Sequence, residues 1–96
     1  MRRVTIGMTN FEQIDNKVYF HPGYYLQEMF YASELEFNEF ANSLGLTSAA
    51  LKMLIRGQKR ITPSLADTIA KHSDTSYLYW LRLQHIWDMR GFVKEK

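Results

Sequence analysis

Residues 43–61 read Ser43-Leu44-Gly45-Leu46-Thr47-Ser48-Ala49-Ala50-Leu51-Lys52-Met53-Leu54-Ile55-Arg56-Gly57-Gln58-Lys59-Arg60-Ile61. Just upstream, Phe37, Phe40, Ala41 and Leu44 recur at helical spacing. That stripe stops at Gly45, a residue suited to the left-handed C-cap of a helix. Thr47 then offers a hydroxyl to the free N–H groups of a new helix. Ala50, Leu51, Leu54 and Ile55 form the inward face of this third helix, and Gly57 ends it. Two short helices joined by a tight glycine turn are what a helix-turn-helix needs to set one helix in a DNA major groove.

On either side of this pair the chain reads as further short helices. His21-Pro22-Gly23 marks a boundary, because proline fits the first turn of a helix, where its missing N–H costs nothing. Tyr25, Leu26, Met29 and Phe30 predict a first helix to about Ala32. Thr62-Pro63 is an N-cap followed by proline, and Leu65, Ala66, Ile69 and Ala70 carry a fourth helix to about His72. Ser76 caps a fifth, with Tyr79, Trp80, Leu83, Ile86 and Trp87 on one wide face and Gly91 as its stop. Residues 1–20 show no helical period. Val18-Tyr19-Phe20 reads as a short extended piece and the rest as a mobile arm. The expected architecture is all-α: an arm over 1–20, a five-helix helix-turn-helix domain over 21–91, and a frayed tail over 92–96.

Composition narrows the function classes. The chain has 96 residues, with 15% aromatics and no cysteine. A single domain of this size buries roughly two-thirds of its unfolded surface, so its core is modest and large rings fill it efficiently. Dimerisation would bury more. The lack of cysteine removes disulfide and thiol chemistry and fits a cytoplasmic protein. No apolar run approaches the roughly 18 residues of a membrane span, and no apolar segment follows Arg2 and Arg3 to make a signal peptide. Met8 offers an alternative start.

The net charge is only +2, but it is unevenly distributed. Glu28, Glu34, Glu36 and Glu39 lie in a stretch without bases, whereas Lys52, Arg56, Lys59 and Arg60 lie in one without acids. A basic cluster on and after the third helix suits DNA phosphate. The outward set on that helix is Ser48, Ala49, Lys52, Met53 and Arg56. With Thr47, Lys59 and Arg60 these are the candidate DNA-binding residues. The ones near the helix start reach base edges, and the basic tail reaches phosphate. Leu83, Ile86 and Trp87 are candidates for a dimer surface, because they put much apolar area late in a small chain.

The chain also resembles a known family. His21-Pro22-Gly23, Gly45-Leu46-Thr47, Gly57-Gln58-Lys59-Arg60-Ile61-Thr62-Pro63, Thr75-Ser76, Trp80-Leu81-Arg82-Leu83-Gln84 and Trp87-Asp88-Met89 match, in order and spacing, the landmarks of HigA-type antitoxins. These sit within the Cro/repressor-like, lambda-repressor-like group of helix-turn-helix proteins. The resemblance spans about residues 20–90. It implies an antitoxin that silences an RNA-cleaving, HigB-like toxin and represses its own operon as a homodimer on operator DNA. The chain departs from the family pattern at Phe37, which stands where relatives often carry a phosphate-contacting glutamine, and at Ser48-Ala49, where they often carry a long polar residue. Glu36 and Glu39 flank Phe37 and would repel phosphate. An antitoxin that acts only through protein contact, with a degenerate helix-turn-helix, is therefore the alternative.

Enzymatic readings have little support. His21, His72 and His85 lie outside any metal-binding spacing, no glycine-rich phosphate loop is present, and no cofactor is indicated. His21 is expected to cap or pack against the helix that follows it. A ribonuclease toxin would be strongly basic and rich in strands, unlike this chain.

Overall fold

The computed structural model describes residues 10–90. Gly91, the expected tail over 92–96 and the first nine residues of the expected arm lie outside the described residues. Five helices follow a two-stranded hairpin: β1 (Phe11–Ile14), β2 (Lys17–Phe20), α1 (Pro22–Ser33), α2 (Phe37–Ser43), α3 (Ser48–Ile55), α4 (Pro63–Lys71) and α5 (Tyr77–Asp88).

The hairpin corrects the all-α expectation. The strands pair antiparallel with Phe11 opposite Phe20 and Ile14 opposite Lys17. A two-residue loop, Asp15-Asn16, joins them, and Asp15 takes φ 59°. Positive φ in a two-residue loop matches the natural twist of paired strands. Asn10 fixes the base of the hairpin. It is 3% exposed. Its side-chain amide donates to Gln27 Oε1 at 2.7 Å and to the Ile55 carbonyl at 3.0 Å, and its own carbonyl accepts from His21 N–H at 2.7 Å. One buried side chain thus ties the hairpin to α1 and to the C-terminal end of α3. At the other edge, Arg90 pairs with Glu12 and stacks on the Trp87 ring at 3.7 Å, which holds β1 against the end of α5.

The helix starts follow the caps read from the sequence. The hydroxyls of Thr47, Thr62 and Ser76 accept the N–H groups of Ala50, Leu65 and Tyr79 at 3.0, 3.2 and 3.0 Å. Pro22 and Pro63 occupy the first turns of α1 and α4. α2 has a different cap. Glu36 accepts a backbone N–H of the first turn while Glu39 accepts the Glu36 N–H at 3.2 Å, a reciprocal box. The two acids therefore cap a helix N-terminus, where negative charge is favoured.

The core gathers Leu26 from α1, Phe40 and Ala41 from α2, Leu51, Leu54 and Ile55 from α3, Ala66 and Ile69 from α4, and Trp80 from α5. Trp80 is fully buried, with its indole N–H donating to Thr75 Oγ1 at 2.6 Å. Phe37 packs edge-on against Phe30 with ring centroids 5.3 Å apart. On α5 the wide apolar face narrows. Trp80 and Gln84 are buried, Leu83 is half-buried, and Tyr79 and Ile86 are exposed.

Candidate nucleic-acid interface

The α2–α3 junction is built by backbone hydrogen bonds. Leu46 N–H reaches the Ala41 carbonyl at 2.9 Å and Gly45 N–H reaches Asn42 at 3.0 Å, while Gly45 takes φ 76°. This double bond pattern closes a helix on a left-handed residue and buries the apolar residue that follows. Leu46 is that residue, and it sits in the core. Thr47 then starts α3 at once. The same pair of bonds ends α3, from Gln58 to Met53 and from Gly57 to Leu54.

α3 is sealed on one side by Leu51, Leu54 and Ile55. Its other side carries Ala49, Lys52 and Met53, all exposed, with Met53 at 43%. Thr47 is exposed but uses its hydroxyl as the cap. Ser48 is half-buried and donates to Asn38 Oδ1 on α2 at 2.6 Å. Arg56 is half-buried at the end of α3, and Lys59 is exposed on the loop after it. The expected DNA-binding residues therefore fall along α3 and the loop leading from it.

Arg60 carries an ion pair to α5. Its guanidinium makes a two-pronged ion pair with Asp88 on α5, at 3.1 and 2.8 Å. Hydrogen bonds from Arg60 hold the Asp88 carboxyl below the usual carboxylate range against the opposing effect of burial, and the pairing raises Arg60 above its ordinary value. Gln84 Nε2 donates to the same carboxylate at 2.9 Å, while Gln84 Oε1 accepts the Ile61 N–H at 2.7 Å.

His21 braces this loop from the other side. It is 2% exposed, and its Nδ1 accepts the Gly23 N–H at 2.8 Å as the cap of α1. The ring also hydrogen-bonds the Lys59 backbone and lies edge-on to Trp87. With Nδ1 accepting, the neutral ring carries its proton on Nε2. Burial pushes its pKa down to about 4, with Arg90 and Arg60 adding to the effect and the Lys59 bond and Asp88 opposing it.

Asn10, His21, Gln84 and Asp88 thus support the interface, and sequence reading assigned none of them a bond to it. Of the three dimer candidates, Ile86 is exposed at 46%, Leu83 is half-buried against the core, and Trp87 is half-buried between His21 and Arg90. Among the described residues no group of three or more His, Asp or Glu is placed to hold a metal ion, and no helix is long and apolar enough to cross a membrane.

No family model matches the chain, and no curated protein matches it by sequence. Solved structures do match. An addiction-module antidote protein of the HigA family from Coxiella burnetii is 28% identical, with 78% of this chain and 83% of that one covered and a TM-score of 0.67. The antitoxin GraA is 26% identical, with 74% and 77% covered and a TM-score of 0.65. The chain is similar to antitoxins of the HigA type. A Pseudomonas aeruginosa protein determined in complex with its 18-base-pair operator DNA shares this fold at a TM-score of 0.69, with 22% identity over 78% of this chain and 82% of its own.

Proposed function

We propose that this protein is a DNA-binding antitoxin that neutralises an RNA-cleaving, HigB-like toxin and represses its own operon. The observation that carries the reading is the outward face of α3, where Ala49, Lys52 and Met53 are exposed on a helix whose other face is held in the core. In this reading Thr47, Ser48, Ala49, Lys52 and Met53 meet base edges. A methyl or thioether contact to thymine and a serine hydrogen bond are the available readouts. Arg56 and Lys59 contact phosphate, and Arg60 lies on the same edge. The protein acts as a homodimer that sets two α3 helices in major grooves about one DNA turn apart. Ile86, flanked by Leu83 and Trp87, belongs to the dimer surface. The operator complex of the similarly folded Pseudomonas aeruginosa protein supports the DNA half of this reading. The similar antitoxins support the other half.

Internal bonds favour a second reading, in which the protein silences a toxin without reading DNA. Ser48 is bonded to Asn38, Arg60 to Asp88, and the Thr47 hydroxyl to the Ala50 N–H, so side chains expected on DNA are engaged within the fold. An assay of RNA cleavage by a small ribonuclease encoded beside this gene, with and without this protein, tests the antitoxin role common to both readings. Loss of cleavage at equimolar protein is expected. Full cleavage with excess protein present would refute the role. Footprinting on the upstream DNA separates the readings, because the first requires a protected palindrome and the second requires none.

A further inference from the structure

The loop from α3 to α4 is held to the rest of the molecule at three points. The Lys59 backbone bonds His21, the Ile61 N–H bonds buried Gln84, and the Arg60 side chain pairs with Asp88. The first two bonds already fix the backbone of the loop. The third fixes a charge. Arg60 and Asp88 side chains are 59% and 36% exposed, so the pair sits on the surface beside Lys59.

We propose that Asp88 masks Arg60 from DNA: the pair stays closed when the protein is bound, and Asp88 thereby lowers its affinity for DNA of any sequence. This rests on the DNA-binding reading above. An arginine fork is satisfied by a carboxylate in the same two-pronged geometry that it would use on a phosphate. Moving Arg60 to phosphate would break both prongs and leave the Asp88 carboxylate facing DNA. Like charges would then oppose the contact just made. Gln84 adds a further bond to the carboxylate, which keeps Asp88 pointed at the loop. Sequence-independent affinity comes from cations that displace counterions from phosphate. A cation already neutralised by Asp88 displaces none. The footprint on phosphate is therefore drawn from the remaining bases of the cluster, and binding leans more on the α3 contacts that read sequence.

The test is a salt series of anisotropy titrations on a scrambled duplex, with thermal melts alongside. The proteins are the wild type, the Arg60→Gln/Asp88→Asn double variant, Asp88→Asn and Lys59→Gln. Asp88→Asn keeps the shape of the side chain and an oxygen for Gln84. Masking predicts that the Arg60→Gln/Asp88→Asn double variant, which removes both charges together, leaves the slope of log K against log salt unchanged. Asp88→Asn should steepen it by about 0.9, as one added phosphate contact does, and Lys59→Gln should flatten it by about 0.9. Between 50 and 200 mM salt that added contact costs about 3.5-fold in affinity. A slope flattened in the double variant overturns the proposal, as does an unchanged slope in Asp88→Asn. Failure of all four proteins to bind the duplex overturns it too. A brace without masking would show Asp88→Asn melting lower and binding more weakly, which is also a refutation. The operator reading fails separately, if the wild type binds its upstream DNA no better than the scrambled duplex, and the slope comparison stands either way.

Discussion

Gly23, at the start of α1, lies directly on the backbone of Leu54 near the end of α3. A Cβ at Gly23 would come within 2.6 Å of the Leu54 carbonyl carbon and 2.9 Å of the Ile55 Cα. These are backbone atoms, which have no rotamer to escape into. The glycine therefore sets how closely α1 crosses the helix that carries the candidate DNA-reading face.

Gly23→Ala must push α1 away from α3, and overpacking of this kind costs about 1–3 kcal/mol or more. For a chain of this length a loss of about 2 kcal/mol lowers the melting midpoint by roughly 8–16 °C. Gly45→Ala makes a useful contrast. It forces alanine to φ 76°, but the nearest atom in its way belongs to the His72 side chain, at 2.9 Å. Differential scanning calorimetry of both variants checks the pair, and Gly23→Ala is expected to be the more damaging.

Stability should fall as the medium becomes acid through the titration of His21. Its folded pKa is about 4 against an ordinary 6.5, so the unfolded chain binds the proton more readily. The neutral ring's contribution is complete above pH 6.5 and is lost as pH falls to about 4. The slope within that window approaches 1.4 kcal/mol per pH unit. His21→Asn keeps a capping side chain without a titrating group. Urea unfolding from pH 7 to 4 should show the slope in the wild type and its loss in this variant. Parallel curves would show that the ring does not titrate in this window.

Asn10→Ala removes a buried donor from Gln27 Oε1 and from the Ile55 carbonyl. Stranding a buried acceptor costs about 1–3 kcal/mol. The effect should centre on the hairpin. Hydrogen exchange at the Phe11–Ile14 and Lys17–Phe20 amides is expected to quicken more than exchange in α4. Equal changes across the chain would mean that Asn10 supports the whole core instead.

Lys52 and Lys59 are exposed. Replacing both with glutamine should leave the melting midpoint nearly unchanged and flatten the salt slope of DNA binding by about 0.9, from the one phosphate contact of Lys59, while the loss of Lys52 weakens binding to the operator. Anisotropy across a salt series reads this directly. An unchanged slope would remove Lys59 from the phosphate footprint.

The helices were legible because their ends depend on local chemistry. Thr47, Thr62 and Ser76 act as the caps that their hydroxyls suggested, and Gly45 takes the left-handed conformation that its position required. The hairpin was legible only in its second strand, where Val18-Tyr19-Phe20 read as extended and lies within β2; the first strand and the pairing were not. Phe11-Glu12-Gln13-Ile14 has no clean alternation, and its turn, Asp15-Asn16, lacks the glycine that usually marks one. Its pairing also depends on Asn10, which bonds residues 17 and 45 positions away. The candidate interface divides in the same way. The exposed face of α3 followed from helical spacing. The Arg60–Asp88 pair joins residues 28 positions apart, and nothing local to either residue announces the other. The acids Glu36 and Glu39 read as obstacles to phosphate, yet they cap α2, a role set by their three-residue spacing.

If α3 reads operator DNA, the protein must prefer its own upstream sequence. Fluorescence anisotropy with the duplex from just upstream of this gene, against a scrambled duplex at the same salt, tests it most directly. A variant with Ser48, Ala49 and Met53 replaced serves as the control for the reading face. The native duplex should bind at least ~1,000-fold tighter than the scrambled one, and the variant should lose this preference while keeping its melting midpoint. Equal binding of both duplexes by the wild type would contradict operator reading by α3.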